Sequence, residues 1–412
     1  MHDSINPILD YLEDPHALEV LYRRDEQRFR SYFNEVYSSH PDSIILRVWS
    51  ERLQEMETNK QSWFDCSFIT MGILSISAAL VLRLVIFLVN EFNIAPINVL
   101  FGILPFMSVY LILSQNESKR LRWFVFCSTL ALMIYFNLIP NDARDSVILS
   151  YLHLPILLWL LLGISHAGNH YVSTPARVAF LKFNGEFLVL YILFALGGLA
   201  LSGITMMLFS LLGLNISEFY FENIVVMGVA GLAIVATYAV QRYGRLTQSI
   251  APLIAKVFSP LVLLTLITYL ITMLVMGKNP FMDRDFLISF NVILFVVLAI
   301  TIYLITERSP KQSAQIMDGI NFALIICALI INAIALIAMV FRLTSFGITP
   351  NRLASFVINM LIMMHLVRIG IANLSYLRHK SSIERLQAAV TSWLPIYGLW
   401  ALIVVFSFPF IF

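Results

Sequence analysis

Charge is what this 412-residue sequence has least of: Asp, Glu, Lys and Arg make up 13% of it, about half the share of an ordinary soluble domain. A chain so poor in charge does not describe one water-soluble globular domain, and that class is excluded. Cysteine is scarce too. Cys66, Cys127 and Cys327 are too few for a disulfide framework or a thiolate zinc cluster, and each lies in or beside an apolar run, where it reads as a small packing residue. The sequence lacks a Walker loop, a nucleophile elbow, a dinucleotide fingerprint and any pair of carboxylates within an apolar run. Nothing therefore points to a cofactor or to catalysis. No Asp or Glu falls deep in a run, which disfavours the carboxylate relays of many proton pumps. The first 65 residues have no basic stretch followed by an apolar run and a small-residue cleavage site, so no signal peptide is expected and the N-terminus is expected in the cytoplasm. Nucleic acid is not an expected partner.

What is abundant is apolar surface: 59% of the residues, with a mean hydropathy of +0.82. A hydrocarbon core of about 30 Å takes roughly 20 apolar residues per helix. Beyond Asp65 the chain offers eleven such runs, at 66–89, 94–114, 121–139, 147–165, 187–212, 222–241, 257–277, 286–306, 319–341, 353–374 and 390–412. The expected fold is an all-α polytopic membrane protein with about 11 transmembrane helices, the lipid bilayer as its main partner, and a small head at residues 1–65. Charge divides at the same boundary. The head holds 13 acidic and seven basic residues, the remainder 12 acidic and 20 basic.

With the head inside, the inner loops take Lys119, Arg120, Arg122, Arg177, Lys182, Arg242, Arg245, Lys256, Arg308, Lys311, Arg378, Lys380 and Arg385. The outer loops take only Arg144, Lys278, Arg284, Arg342 and Arg352, together with acidic residues such as Glu91, Asp142, Glu218, Glu222 and Asp283. The positive-inside rule then places the N-terminus in the cytoplasm and the C-terminus outside.

The head reads as a helical hairpin. Asp14 is placed to cap a helix whose first residue is Pro15. Leu18, Leu21, Tyr22, Phe29, Tyr32, Phe33 and Val36 follow on one face, and after a turn at Ser38 to Pro41 a second stripe runs through Ile45, Val48, Trp49, Leu53 and Met56. Some 60 residues bury little core, so these faces are expected to close on each other and to dock on the membrane portion or on a protein partner.

One internal echo stands out. The segment 174–184, TPARVAFLKFN, matches 349–359, TPNRLASFVIN, at five of eleven positions. Each opens a span, the fifth and the tenth, so a repeat of spans 1–5 and 6–10 would be inverted, as in many secondary transporters. Helix-start chemistry explains a shared Thr-Pro-x-Arg equally well. Lys182 and Glu186 make the fifth span more polar at its start and suit an interfacial helix before the span.

Ionisable and amide groups inside spans are the functional candidates, because each costs several kcal/mol in lipid unless it pairs or snorkels. Arg83 lies six residues before the outer end of the first span; it either snorkels or pairs with Glu218 or Glu222, one helical turn apart. His365 lies near the middle of the tenth span with Arg368 three residues on, and Asn332 in the ninth is its plausible partner. His153 and Pro155 suit either a kink around a polar cavity or an ordinary proline kink. His166 and His170 have i, i+4 metal-ligand spacing, but no third ligand is identifiable. Gly197, Gly198, Gly203, Gly228 and Gly231 fit close helix packing.

Several strings, SEFYFENIVVMG (217–228), IAPLIAKVFSPLVLLTLITYL (250–270), NPFMDRDFLISFN (279–291) and GITPNRLA (347–354), resemble a bacterial family of multi-pass membrane proteins known as domain of unknown function 4153. The head string LEVLYRRDEQRFRSYFNEVY (18–37) is similar to heads of that group. The resemblance implies a bacterial inner-membrane protein and carries no reaction. Two functions stand beside each other: a transporter-like protein for a small solute or ion, and an accessory, sensory or scaffold protein that binds a partner through its head or helical core.

Reporter fusions after residues 60, 143, 281 and 412 check the threading. The first should report the cytoplasm and the other three the outer side; a cytoplasmic signal at 412 with the head inside would mean an even number of spans.

Overall fold

The computed structural model describes residues 7–11, 14–24, 26–39, 43–59, 66–92, 94–115, 117–139, 144–211, 214–275, 284–308 and 316–412. Asp65, His40, Pro41, Asp142, Lys278, Asp283 and Lys311, used in the sequence reading, lie outside the described residues. By its internal contacts the chain falls into two units, residues 1–69 and 70–412.

The first unit holds helices α1 (Pro15–Arg24), α2 (Glu26–Ser39) and α3 (Ile44–Asn59). The first stripe of the expected hairpin is thus two helices and not one. Asp14 caps α1: its carboxylate accepts from the amides of His16 at 3.0 Å and Ala17 at 3.1 Å. The apolar stripes close on each other around Tyr22, Phe29, Phe33, Leu46, Trp49 and Leu53, with Ile8 joining from the preceding turn. Tyr22, Phe29 and Trp49 meet with ring centroids 4.9–5.6 Å apart. Arg52 covers Trp49 at 4.5 Å and forks onto Glu19, which combines cation–π attraction with an ion pair. Val48, read as part of the buried stripe, is 63% exposed.

From Cys66 onward the regular elements among the described residues are all helical: α4 (Cys66–Phe92), a 3₁₀ segment Pro96–Gly102, α5 (Leu104–Ser114), α6 (Lys119–Leu138), α7 (Asp145–Ala167), α8 (Thr174–Leu211), α9 (Ser217–Phe219), a π turn Tyr220–Val225, α10 (Val226–Val275), α11 (Arg284–Thr306), α12 (Ile316–Phe346), α13 (Pro350–Leu377), α14 (Ile383–Thr391) and α15 (Leu394–Ile411). Nine helical stretches among the described residues are long and apolar enough to cross a membrane. Two shorter apolar helices, Phe258–Ile271 and Phe290–Thr306, stand where the other two runs were read. Leu193, Leu196, Leu199 and Leu201 of α8 are each more than half exposed, which only a lipid surround makes favourable. The chain is an integral membrane protein.

Three pairings dominate the bundle: α12 on α13, α7 on α15, and α8 on α10. The first is built on Ala328, Ala335 and Ala338 of α12, all fully buried; small side chains let two helices approach closely where no water drives them together. Leu294 and Val297 of α11 and Ile362, Leu366 and Ile369 of α13 complete this core. A second core joins Phe101, Phe136 of α6, Leu154, Leu158 and Leu161 of α7, and Ala401 and Val405 of α15.

Several boundaries differ from the sequence reading. The start of α8 is not a separate interfacial helix, because a single helix runs from Thr174 to Leu211. The loop read at Arg242 to Lys256 continues as helix, with a kink at Tyr243 (φ −122°, ψ 20°). The last run divides into α14 and α15, and Pro395 falls in the first turn of α15, where its missing N–H costs no helical bond.

Pro409 leaves a trace in the packing. Lacking an N–H, it orphans the carbonyl of Val405 four residues earlier, and the Tyr135 hydroxyl of α6 donates to that oxygen at 2.7 Å. Ser150 of α7 also approaches it, at 3.3 Å. Tyr135→Phe should therefore cost about 1 kcal/mol, read as a lower melting temperature of the purified protein. In a Pro409→Ala background, where residue 409 supplies the missing donor, the same change should cost less.

Candidate functional sites: buried polar clusters

On α4, Arg83 is half-buried and donates through Nε to Oδ1 of Asn223 at 2.8 Å. Asn223 sits in the π turn and donates its own Nδ2 to the Phe219 carbonyl at 2.8 Å. Glu218 and Glu222 are exposed, and among the described residues Arg83 pairs with neither. The expected cluster is corrected to an Arg–Asn pair. The cause is the π turn, whose wider spiral shifts residues around the axis and brings Asn223 toward α4 where a regular helix was read.

His365 of α13 is buried. Its Nδ1 lies 2.9 Å from the Tyr397 hydroxyl of α15, and its ring stacks on Trp393 at 5.2 Å with planes 11° apart. The main chain of Ala389 and Val390 on α14 lies beside the ring, and Nε2 has no hydrogen-bond partner among the described residues. Neither expected companion joins it. Asn332 donates instead to the main-chain oxygen of Asn359 at 3.0 Å, and Asn359 donates to Oδ1 of Asn291 at 2.9 Å, so one asparagine from each of α11, α12 and α13 meets at one level. Arg368 is exposed; three residues on, it stands about 60° around the helix from His365, beyond the edge of the buried stripe of Ile362, His365, Leu366 and Ile369.

His153 is half-buried and engages the Leu149 carbonyl through Nδ1 at 2.8 Å, which requires the proton on that nitrogen. It meets none of the other candidates named from the sequence. His166 packs on Phe183 at 4.9 Å, while His170 is exposed in a 3₁₀ turn. The two do not share a helical face, because α7 ends at Ala167. Gly168 follows with φ +59°, and a Cβ there would meet the Glu117 carboxylate. Among the described residues no group of three His, Cys, Asp or Glu is arranged to hold a metal.

A further cluster was not singled out in the sequence. Glu186 of α8 is 7% exposed and shares its surroundings with Lys182, Tyr303 and Glu307. Gly185 makes room for this: a Cβ there would lie 2.1 Å from the Tyr303 ring. Nearby in sequence, Arg308 forms an ion pair with Asp318, each side chain 11% exposed. Gln387 of α14 reaches the carbonyls of Ile305, Thr306 and Arg308 at 3.1–3.4 Å and so satisfies the free end of α11. Burial raises the Glu307 carboxyl above its ordinary range, and the Lys182 ammonium pulls part of the way back. The available signal was the i, i+4 spacing of Lys182 and Glu186, which looked interfacial because α8 was expected to begin later.

Compared with protein-family models, curated proteins and solved structures, the chain matches none.

A carboxyl whose folded-state pKa is raised contributes stability below its unfolded pKa and loses it as pH rises through the folded value. Glu307→Gln should therefore melt higher than the parent at alkaline pH, with the gap narrowing as pH falls through the raised folded value and closed below about 4.3. Thermal unfolding of the purified protein across pH reads this, and a constant gap would remove Glu307 as the cause.

Proposed function

We propose that the chain is a transporter-like protein of a bacterial inner membrane, with eleven spans, the head in the cytoplasm and the C-terminus outside, related to the family it resembles. It moves a small polar solute or ion along the inner faces of α11, α12 and α13. The observation that carries this reading is a series of buried polar atoms without protein partners among the described residues: Oδ1 of Asn332 and Asn359, Oγ1 of Thr301, Oδ1 of Asn321, and both amide atoms of Asn373. Protein interiors pair almost all such atoms, and in lipid the cost of not doing so is larger. On α13 alone the series descends from Asn359 past His365 to Asn373, about 21 Å at 1.5 Å per residue. It ends on the side where Glu186 lies buried and Glu307 half-buried.

Two halves of inverted topology are part of the proposal. Arg177 donates to the carbonyl six residues before it, Tyr171, at 2.9 Å, and Arg352 to the carbonyl six before it, Phe346, at 2.6 Å. Asn184 and Asn359 each donate to the carbonyl four residues before, at 2.5 and 2.8 Å. Each is also met by a side chain of the preceding span, Trp159 for Asn184 and Asn332 for Asn359. Helix-start chemistry accounts for the arginines; the two asparagines are met at different atoms, Asn184 on its side-chain oxygen and Asn359 on its main-chain oxygen. Against the repeat, Ser173 and not Thr174 caps α8, whereas Thr349 itself caps α13, and α8 packs chiefly on α10 but α13 on α12.

Sealed vesicles containing the purified protein and an internal pH or ion indicator test the reading under an imposed potassium diffusion potential. Proton or small-ion flux above that of empty vesicles is expected, and Asn359→Leu should abolish it while the protein stays monodisperse. Equal flux in the two preparations across protons, alkali cations and small organic ions would refute the reading.

A further inference from the structure

On the surface of the membrane unit, α6, α7 and α15 enclose a groove of about 800 Å³. Leu157, Leu160 and Ile164 of α7 form its floor, Ala131 of α6 one wall, and Leu394 and Leu402 of α15 the other. Exposed side chains at the rim, Phe124, Leu399 and Phe406, open it sideways toward lipid. From Leu157 to Ala167 the floor runs ten residues, about 15 Å at 1.5 Å per residue, and half of a hydrocarbon core of about 30 Å is the same length. The groove therefore has the reach of one leaflet.

Among the described residues its one charged lining residue is Arg177, at the end where α8 begins. Nε and Nη1 are held by main-chain carbonyls, Tyr171 at 2.9 Å and Thr391 at 3.4 Å, so the guanidinium is fixed in place but its charge is not neutralised. Among the described residues no carboxylate lies within ion-pair distance of it. The neighbouring acid Glu117 is turned onto Gly168, while Lys119 and Arg120 stand exposed at the start of α6. Of the arginines described above, neither Arg83, which donates to Asn223, nor Arg368 lines the groove.

We propose that this groove is a seat for one acidic glycerophospholipid of the surrounding leaflet, its acyl chains along α7 and its phosphate on the Nη2 edge of Arg177. A guanidinium presents parallel donors that suit phosphate. A lipid whose headgroup carries no compensating cation gains most from a site that offers a positive charge and no carboxylate.

Native mass spectrometry of the detergent-purified full chain, titrated with phosphatidylglycerol or phosphatidylcholine, tests the seat. Phosphatidylglycerol should bind at one saturable site, about tenfold more tightly than phosphatidylcholine. Arg177→Gln should remove that preference, Arg177→Lys should keep part of it, and Ala131→Trp, which fills the groove from an exposed position on α6, should abolish saturable binding of either lipid. Arg368→Gln should change nothing. Equal binding of the two lipids by the parent, preference retained in Arg177→Gln, or saturable binding retained in Ala131→Trp would each overturn the proposal. So would a dimer of the parent that Ala131→Trp dissolves, since the groove would then hold a second copy of the chain.

Discussion

Inside a bilayer no water reaches the main chain, so every carbonyl or amide that loses its helical partner must find another within the protein. Much of the tertiary structure of the membrane unit is organised by where those orphans are. Pro409 frees the Val405 oxygen, and Tyr135 and Ser150 answer it from α6 and α7, so a single missing N–H ties three helices together. The last carbonyls of α11 are answered by Gln387, which draws the amphipathic α14 in against the bundle. Arg177 and Arg352 fold back onto the carbonyls that precede their own helices. The main-chain oxygen of Asn359 receives Asn332.

Polar side chains obey the same constraint with different results. Arg83 donates to Asn223 across α4 and the π turn, so part of its hydrogen-bonding capacity is met within the protein. The asparagines of α11, α12 and α13 bind one another but leave oxygen atoms over, and a hydrogen-bonded group with spare capacity is where water or a polar solute gains by entering. The groove by Arg177 is the converse case, apolar walls with a charge at one end, and suits an amphiphile. Two kinds of ligand chemistry are thus supported on opposite grounds, one by polar atoms that lack partners inside the core and one by a cation without a counter-ion at its edge.

The head follows ordinary aqueous rules. Its aromatic centre of Tyr22, Phe29 and Trp49 was visible as a periodic stripe, and the Asp14 cap as a single dipeptide. Val48 was misplaced because the spacing of one helix cannot say where its neighbour crosses it; residues at the edge of a stripe are buried or exposed according to that angle.

By itself the sequence determined that this is an all-helical membrane protein with many apolar spans, because hydrocarbon thickness and the cost of charge set a length and composition that few other structures satisfy; several helix boundaries were decided by the tertiary structure. It also marked Arg83, His153, Asn332 and His365 as residues that lipid alone would not tolerate cheaply. Their partners were decided only by the tertiary structure. Whether Arg83 meets Glu222 or Asn223 depends on one π turn, whether Arg368 joins His365 depends on the rotation of α13, and the burial of Glu186 depends on Gly185 admitting the ring of Tyr303. Each of these is a matter of rotation or approach between helices distant in the chain. Such quantities are set by packing, which composition and spacing along one strand of sequence do not encode.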